Sequence, residues 1–281
     1  MITCNIIGGL GNQLFQIFTT ISYAIQTRNV FYFYETEFTG GVGTTNKRDT
    51  YWNNFLSKLK LFLRKEFPPL KIIHETNFEF NQIPLTNIIG KDICLHGYFQ
   101  SYKYFQSTYK TIYRLLNIDN HKQNVNKLVK DNGISINLED TVSLHFRLGD
   151  YKKLQDTHPL MTDDYYKRAL EHIFIHKQNV TNVLFFCEDE DIDEITVRIH
   201  NLQLLFPQVE FKRASNVLKD WEQMILMSCC KYNIIANSSF SWWAAYLNSN
   251  EDKIVCYPST WFGPSVNHNI KDLFPEEWIK I

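Results

Sequence analysis

The chain has 281 residues, of which 44% are hydrophobic and 15% aromatic, so it can bury a substantial core as one large domain or two smaller ones. Its 29 basic and 30 acidic residues leave a formal net charge of -1. Such a balance lacks the basic footprint of a polyanion-binding protein, which argues against nucleic acid as a partner.

The first half opens with a strand, a helix and a second strand. The apolar stretch 2–7 predicts the first strand, and VFYFY (30–34) predicts the second. The helix between them places five apolar residues on one face: Leu14, Phe15, Phe18, Ile21 and Ile25. Beyond these elements, TGGVGTTNKRDT (39–50) has the composition of a flexible loop, and the stretch 121–140 is polar enough to carry the domain junction.

The second half alternates strands and helices. Predicted strands are 141–146, 182–187, 208–212, 233–236 and 253–257, and predicted helices are 163–174, 193–202, 221–231 and 241–247. This alternation predicts a parallel sheet covered by helices. We therefore predict an α/β protein of two Rossmann-like domains, an N-terminal one over 1–135 and a C-terminal one over 136–281.

A glycine-rich turn, GGLGNQLFQIF (8–18), joins the first strand to the first helix. It brings three glycines and two amides to a helix N-terminus, where a ligand can approach the backbone: Gly8, Gly9, Gly11, Asn12 and Gln13. Gly9 and Gly11 match the first two positions of a dinucleotide fingerprint, Leu14 departs from the third, and Glu35 could serve as the ribose-binding acid. A tight turn without a ligand is the alternative.

Two stretches of the second half predict anion contacts. HFRLGDY (145–151) ends a strand with Arg147, whose guanidinium fork suits a phosphate, and Asp150 could orient that fork. NSSFSWW (237–243) lies between a strand and a helix, where hydroxyls and backbone N–H groups form an anion site. The alternatives are a structural salt bridge for Arg147 and plain N-capping for the serines, and the tryptophans suit the core.

The acidic stretch CEDEDIDE (187–194) allows two interpretations. Asp189 and Asp191 have a spacing that could hold a divalent cation beside a nucleotide diphosphate. Acidic residues also favour the first turn of a helix, which 192–201 resembles, and we favour this second interpretation.

Cysteine usage and hydropathy bear on the compartment. The six cysteines show no CxxC spacing and several lie in apolar runs, which fits reduced thiols. No window reaches the roughly 18 to 20 apolar residues that span a bilayer, and the N-terminus lacks a signal-peptide pattern. We expect a soluble, cytoplasmic protein without a transmembrane segment, and peripheral membrane association stays open.

Four segments, taken together and in this order, resemble the α-1,2-fucosyltransferases: GGLGNQLFQ (8–16), GYFQSYKYF (97–105), HFRLGDY (145–151) and MSCCKYNIIANSSFSWWAAYLN (227–248). The resemblance covers nearly the whole chain. It implies a GT-B architecture of two facing domains, with the acceptor on the N-terminal side and GDP-fucose on the C-terminal side. It also implies GDP-β-L-fucose as co-substrate, inversion to an α-1,2 linkage on a galactose-containing glycan, and no metal or other cofactor.

The same resemblance implies roles for single residues. Arg147 would grip the donor diphosphate, His145 would lie near the nucleotide, and Asn12 would lie near the β-phosphate, beside Gly9 and Gly11. The phosphate would also be held by the serine loop: Ser238, Ser239, Phe240 and Ser241.

Three features leave the assignment of site residues by resemblance incomplete. The common form of the third segment, HxRRGDY, has an arginine where Leu148 stands here. The resemblance implies a carboxylate that recognises guanine. No residue of this chain matches it directly, so Glu222 or Asp220 would take that role. The general base has three candidates by residue type: Asp150, Asp156 and Glu188.

Other classes of function stay open. A metal-dependent glycosyltransferase would use Asp189 and Asp191, and a Rossmann dehydrogenase would bind NAD at Gly9 and Gly11. A carbohydrate-binding protein without activity gives no reason for a phosphate-type loop.

Overall fold

The computed structural model describes residues 1–41, 44–85, 91–133, 136–214 and 217–281, with side chains left out over 40–46. The chain divides into two units: unit 1 is Met1–Asn120 with His268–Pro275, and unit 2 is His121–Asn267 with Glu276–Ile281. The units thus divide after Asn120 rather than after 135, and a C-terminal segment returns to unit 1.

Unit 1 contains seven strands and two helices among its described residues: β1 (Ile2–Cys4), α1 (Leu10–Gln26), β2 (Phe33–Tyr34), β3 (Phe38–Gly41), β4 (Thr44–Asp49), β5 (Leu63–Arg64), β6 (Lys71–His74), β7 (Ile93–His96) and α2 (Tyr109–Leu115). A parallel sheet has the order β1-β7-β6, β2 pairs with β5 in parallel, and β3 pairs with β4 in antiparallel.

Two expectations for unit 1 need correction. The segment 39–50 is mostly paired strand rather than the flexible loop that its composition indicated. Antiparallel hydrogen bonds between β3 and β4 satisfy its backbone. Residues 42 and 43 lie outside the described ranges. On α1, four of the five apolar side chains are buried as predicted, but Ile25 in the last turn is 41% exposed.

Unit 2 contains five helices and six strands among its described residues: α3 (Ile118–Asp131, which begins in unit 1), β8 (Thr141–His145), α4 (Asp163–His176), β9 (Asn182–Phe186), α5 (Ile192–Leu205), β10 (Glu210–Arg213), α6 (Asp220–Cys229), β11 (Tyr232–Ile234), α7 (Ser239–Leu247), β12 (Val255–Tyr257) and β13 (Ile279–Lys280). The five predicted strands and four predicted helices are confirmed, and β13 is an addition.

The segment 121–140, predicted as a domain junction, is largely helical. Val125 and Val129 of α3 are buried, and the ammonium of Lys122 donates to the carbonyl of Leu247 at 2.7 Å. Its polar composition reflects the solvent face of an amphipathic helix. Residues 134 and 135 of this segment lie outside the described part of the chain.

All strand pairs in the sheet of unit 2 are parallel, in the order β10-β9-β8-β11-β12-β13. Numbered from β8, this is the 3-2-1-4-5-6 order of the doubly wound nucleotide-binding fold. Every residue of β8 is buried, as both faces of a parallel sheet are covered. The strand order reverses between β8 and β11, and ligands bind beyond the carboxyl ends of strands at such a reversal.

Each unit contains a parallel sheet, and the predicted α/β class is confirmed. No helix within the described ranges is long and apolar enough to cross a membrane.

Candidate active site

The site of unit 2 lies where β8 and β11 end side by side. Leu144 pairs with Ile234 in the sheet, so the residues that follow the two strands share one edge. The ring of His145 lies 5.6 Å from the ring of Phe240, and the hydroxyl of Tyr151 donates to the backbone carbonyl of Asn237 at 3.4 Å. The fold thus joins HFRLGDY and NSSFSWW, which are distant in sequence.

Arg147 lies at the centre of this edge, between two carboxylates. Its Nη2 donates to Asp150 and its Nη1 donates to Glu188, while its Cζ lies 5.0 Å from the centre of the Tyr151 ring. Burial disfavours the charge of Arg147, but the two carboxylates outweigh that cost and the pKa is raised above its ordinary value. The Asp150 contact matches the sequence expectation, whereas the Glu188 contact was missed.

A register argument could have found Glu188. His145 pairs with Phe186 across β8 and β9, and Arg147 and Glu188 each follow two residues later. Gly149 makes room for this carboxylate, because a Cβ there would lie 2.3 Å from Glu188 Oε2. Its φ of +40° is also a conformation that favours glycine.

The two carboxylates of the possible cation site bind groups of the protein itself. Asp191 is buried and accepts from the Gly149 amide and the Lys152 ammonium, each at 2.8 Å, while Asp189 pairs with Arg213. Asp191 therefore fixes the turn after Arg147 rather than capping α5, although it stands at the N-cap position of that helix.

The serine loop divides into three different environments. Ser238 is the N-cap of α7 and accepts from the Phe240 amide at 3.3 Å. Ser241 is buried and donates to backbone carbonyls of Ala236 and Ser238. Ser239 is the first residue of α7 and is only partly buried.

Neighbouring residues of this loop are structural. Trp242 and Trp243 are fully buried, as expected of core residues. Asn237, which the sequence did not single out, donates from Nδ2 to the carbonyls of Pro159 at 2.9 Å and Trp261 at 3.1 Å. It therefore ties two further loops to the same edge of the sheet.

Glu222 lies on α6 and caps it. Its Oε2 accepts from the backbone amide of Lys219 at 2.8 Å. This is the reciprocal half of a capping box. The contact gives Glu222 a local structural role, and guanine recognition by this residue stays a prediction.

The glycine turn of unit 1 is a separate cluster. Gly8 has a φ of +82°, and a Cβ there would lie 2.6 Å from Asn12 Nδ2, so local geometry requires this glycine. Gly9 differs, because its φ is -76° and, among the described residues beyond its two chain neighbours, no atom lies within 4 Å of the place where its Cβ would be. Gly11 is buried in the first turn of α1. Unlike Gly8, Gly9 therefore has open space where a side chain would be.

Amide side chains hold this turn in place. Gln13 Nε2 donates to the carbonyls of Gly8 at 3.0 Å and Asp49 at 2.8 Å, so the end of β4 braces the turn. Asn12 Oδ1 accepts from Gln100 Nε2 at 2.8 Å. That bond joins GGLGNQLFQ to GYFQSYKYF within unit 1.

The model for glycosyl transferase family 11 matches residues 1–281. The chain belongs to glycosyl transferase family 11. The resemblance to fucosyltransferases is confirmed at this level, and the protein is a glycosyltransferase of glycan biosynthesis. The family uses nucleotide-sugar donors and glycan acceptors.

Two curated relatives come from Escherichia coli. The chain is 27% identical over 308 aligned residues to the O-antigen biosynthesis glycosyltransferase WbnK, with 98% of each chain covered. It is 33% identical over 161 residues to an alpha-1,2-colitosyltransferase, with 56% of this chain and 53% of the relative covered.

Similar solved structures are more distant. POFUT1 in complex with GDP-fucose has a TM-score of 0.48 and 10% identity, with 91% of this chain and 96% of the other covered. ADP-heptose lipopolysaccharide heptosyltransferase II of E. coli has the same TM-score and identity, with 100% and 89% covered.

In this glycosyltransferase, His145 is a buried, neutral imidazole. Burial first, and then the charge of Arg147, lower its pKa to about 3. Within the described residues, its Nδ1 is buried without a hydrogen-bond partner. His145 therefore adds no positive charge to that of Arg147 near neutral pH.

The lowered pKa makes His145 a source of acid sensitivity. In the unfolded chain a histidine binds its proton near pH 6.5, so the unfolded state takes up the proton first as the pH falls. The stability that neutral His145 contributes is fully present above pH 6.5. Near pH 4.5 the free energy of unfolding should be about 2 to 3 kcal/mol lower because of this residue. Chemical denaturation between these pH values should show a shallower decline for His145→Gln. Equal slopes in the two proteins would remove His145 as the cause.

Proposed function

We propose that this glycosyltransferase moves L-fucose from GDP-β-L-fucose to the 2-hydroxyl of a galactose-type residue in a glycan, with inversion to an α-1,2 linkage. The observation that carries the proposal is Arg147, which follows β8 where the strand order reverses, while His145 at the end of β8 packs against Phe240 in the first turn of α7. A guanidinium and a helix N-terminus at one edge suit a diphosphate. The family and the names of both curated relatives support sugar transfer to a bacterial glycan.

The proposed chemistry needs charge stabilisation on the leaving group. As the bond between C1 of the sugar and the diphosphate oxygen breaks, negative charge grows on that oxygen and positive charge on the sugar ring. Arg147 and the N-terminal amides of α7 would meet the negative charge, with Asp150 holding the guanidinium. In unit 1, Asn12, Gly9 and Gly11 are proposed as donor contacts, from the family resemblance.

The general base stays unassigned among three carboxylates. Asp150 and Glu188 are both ion-paired to Arg147. The third is Asp156. Pairwise comparison of single Asp→Asn or Glu→Gln variants by their effect on kcat would separate the three.

The donor assignment predicts nucleotide selectivity without a metal. Calorimetric titration in a chelating buffer should show GDP binding, and tighter binding of GDP than of UDP. Equal affinity for UDP, or GDP binding only after Mn²⁺ is added, would favour the metal-dependent alternative. Uptake of NAD(H) in preference to GDP would favour the dehydrogenase alternative.

The sugar of the donor has a second candidate. Colitose is fucose without its 3-hydroxyl, and one curated relative is named for its transfer. Incubation with GDP-fucose and GDP-colitose, each with a panel of galactose-containing disaccharides, followed by linkage mapping, should give an α-1,2-fucosylated product at the higher kcat/KM. A preference for GDP-colitose would change the donor, and another linkage would overturn the regiochemistry.

A further inference from the structure

The guanidinium of Arg147 is already engaged in the donor-free protein. Its two terminal nitrogens donate to Glu188 and Asp150, so this group of three carries one positive and two negative charges. The side chain of Arg147 is only 19% exposed. A diphosphate that approaches this group meets net negative charge and donors already in use. Each terminal nitrogen has a second N–H, so phosphate can still reach Arg147, but it does so against this net negative charge unless a carboxylate moves away.

Asp150 is the less mobile of the two carboxylates. It follows Arg147 by three residues, in a 3-10 turn over Gly149–Lys153 that Asp191 holds through the Gly149 amide. Its charge also acts on His158, where it opposes the lowering of the pKa by burial. A short side chain on a fixed turn has little freedom to leave.

Glu188 is the more mobile carboxylate. It follows the neighbouring strand β9 by two residues, its side chain is 48% exposed, and it has three rotatable bonds. Its Oε2 lies against Gly149, where the missing Cβ leaves it room. A small rotation would place this carboxylate in solvent without moving any backbone.

We propose that Glu188 is an exchangeable counter-ion of Arg147, which positions the guanidinium in the donor-free protein and gives way to the diphosphate. The inference rests on the proposed function, because it assumes a phosphate ligand at Arg147. If Glu188 must leave first, only the fraction of protein in which Arg147 is released from Glu188 can bind the anion. The apparent affinity for the anion is reduced in proportion to that fraction. Removing the charge of Glu188 should therefore tighten anion binding, whereas a fixed structural support would weaken binding when removed.

The test compares Glu188→Gln with Asp189→Asn. Each variant removes one negative charge, at adjacent residues, but Asp189 pairs with Arg213 rather than with Arg147. Calorimetric titration with pyrophosphate and with GDP at about 0.15 M salt should show roughly three- to tenfold tighter binding to Glu188→Gln and a change within about twofold for Asp189→Asn. Thermal denaturation of each variant checks the fold.

Combining Glu188→Gln with Arg147→Met should abolish the gain, since the effect acts through Arg147. Binding that is unchanged or weaker in Glu188→Gln would overturn the proposal. So would an equal gain in Asp189→Asn, a gain that survives the loss of Arg147, or the absence of pyrophosphate binding in every variant. Wild-type protein that binds pyrophosphate but not GDP would refute the proposed donor, while the comparison with pyrophosphate would still test Glu188.

Discussion

Replacing Arg147 with alanine should lower turnover about a hundredfold or more and leave the protein folded. Preorganised charge aimed at a developing anion contributes roughly 2.7 to 4 kcal/mol per donor in comparable sites. Arg147 has that preorganisation, because it follows the buried strand β8 by two residues and Asp150, on the adjoining 3-10 turn, holds its fork. Both carboxylates are about half exposed, at 46% and 48%, so water can solvate them when the arginine is gone.

The lysine variant separates charge from geometry. Lysine keeps the positive charge but loses the planar fork, so Arg147→Lys should also lose most turnover. Arg213→Ala is the matched control, since Arg213 lies at the end of β10 and pairs with Asp189, away from the reversal of strand order. The measurements are kcat with GDP-fucose and the melting temperature. A near-normal rate in Arg147→Ala, or failure of the variant to fold, would remove Arg147 from the catalytic role.

Local sequence spacing predicted those parts of the site that depend on neighbours along the chain. Arg147 and Asp150 are three residues apart at the end of an obvious strand, so their contact needs no tertiary knowledge. Glu188 is 41 residues from Arg147, and its contact depends on the pairing register of β8 with β9. The alternation of strands and helices in the sequence predicts that β8 and β9 exist, but it does not give the register in which their residues pair.

Errors in the predicted elements have a common cause. Composition predicted a flexible loop over 39–50, which is rich in glycine, and a domain junction over 121–140, which is rich in polar residues. The first pairs with itself across β3 and β4, and the second buries only one narrow face of α3. Pairing partners and one-sided burial are tertiary properties, and polar composition obscures them.

The serine loop shows the same limit at the level of single atoms. The sequence places three hydroxyls before a helix, and any of them could cap it or bind phosphate. The structure assigns the cap to Ser238 and an internal backbone contact to Ser241. Ser239, the first residue of α7, is partly exposed.

Ser238 and Ser239 therefore form a matched pair for the last prediction. Ser238→Ala removes the N-cap of α7 and should lower the free energy of unfolding by about 0.5 to 2 kcal/mol. Ser239→Ala should change stability little but weaken GDP binding by about 1.5 to 3 kcal/mol, the scale of a hydrogen bond to a charged group. Melting temperature and calorimetric GDP affinity, measured on both variants, distinguish the two roles because each substitution removes one hydroxyl from adjacent residues. If Ser239→Ala melts lower while its GDP affinity is unaltered, the hydroxyl serves the helix rather than the phosphate, and the anion site of α7 would rest on its backbone amides alone.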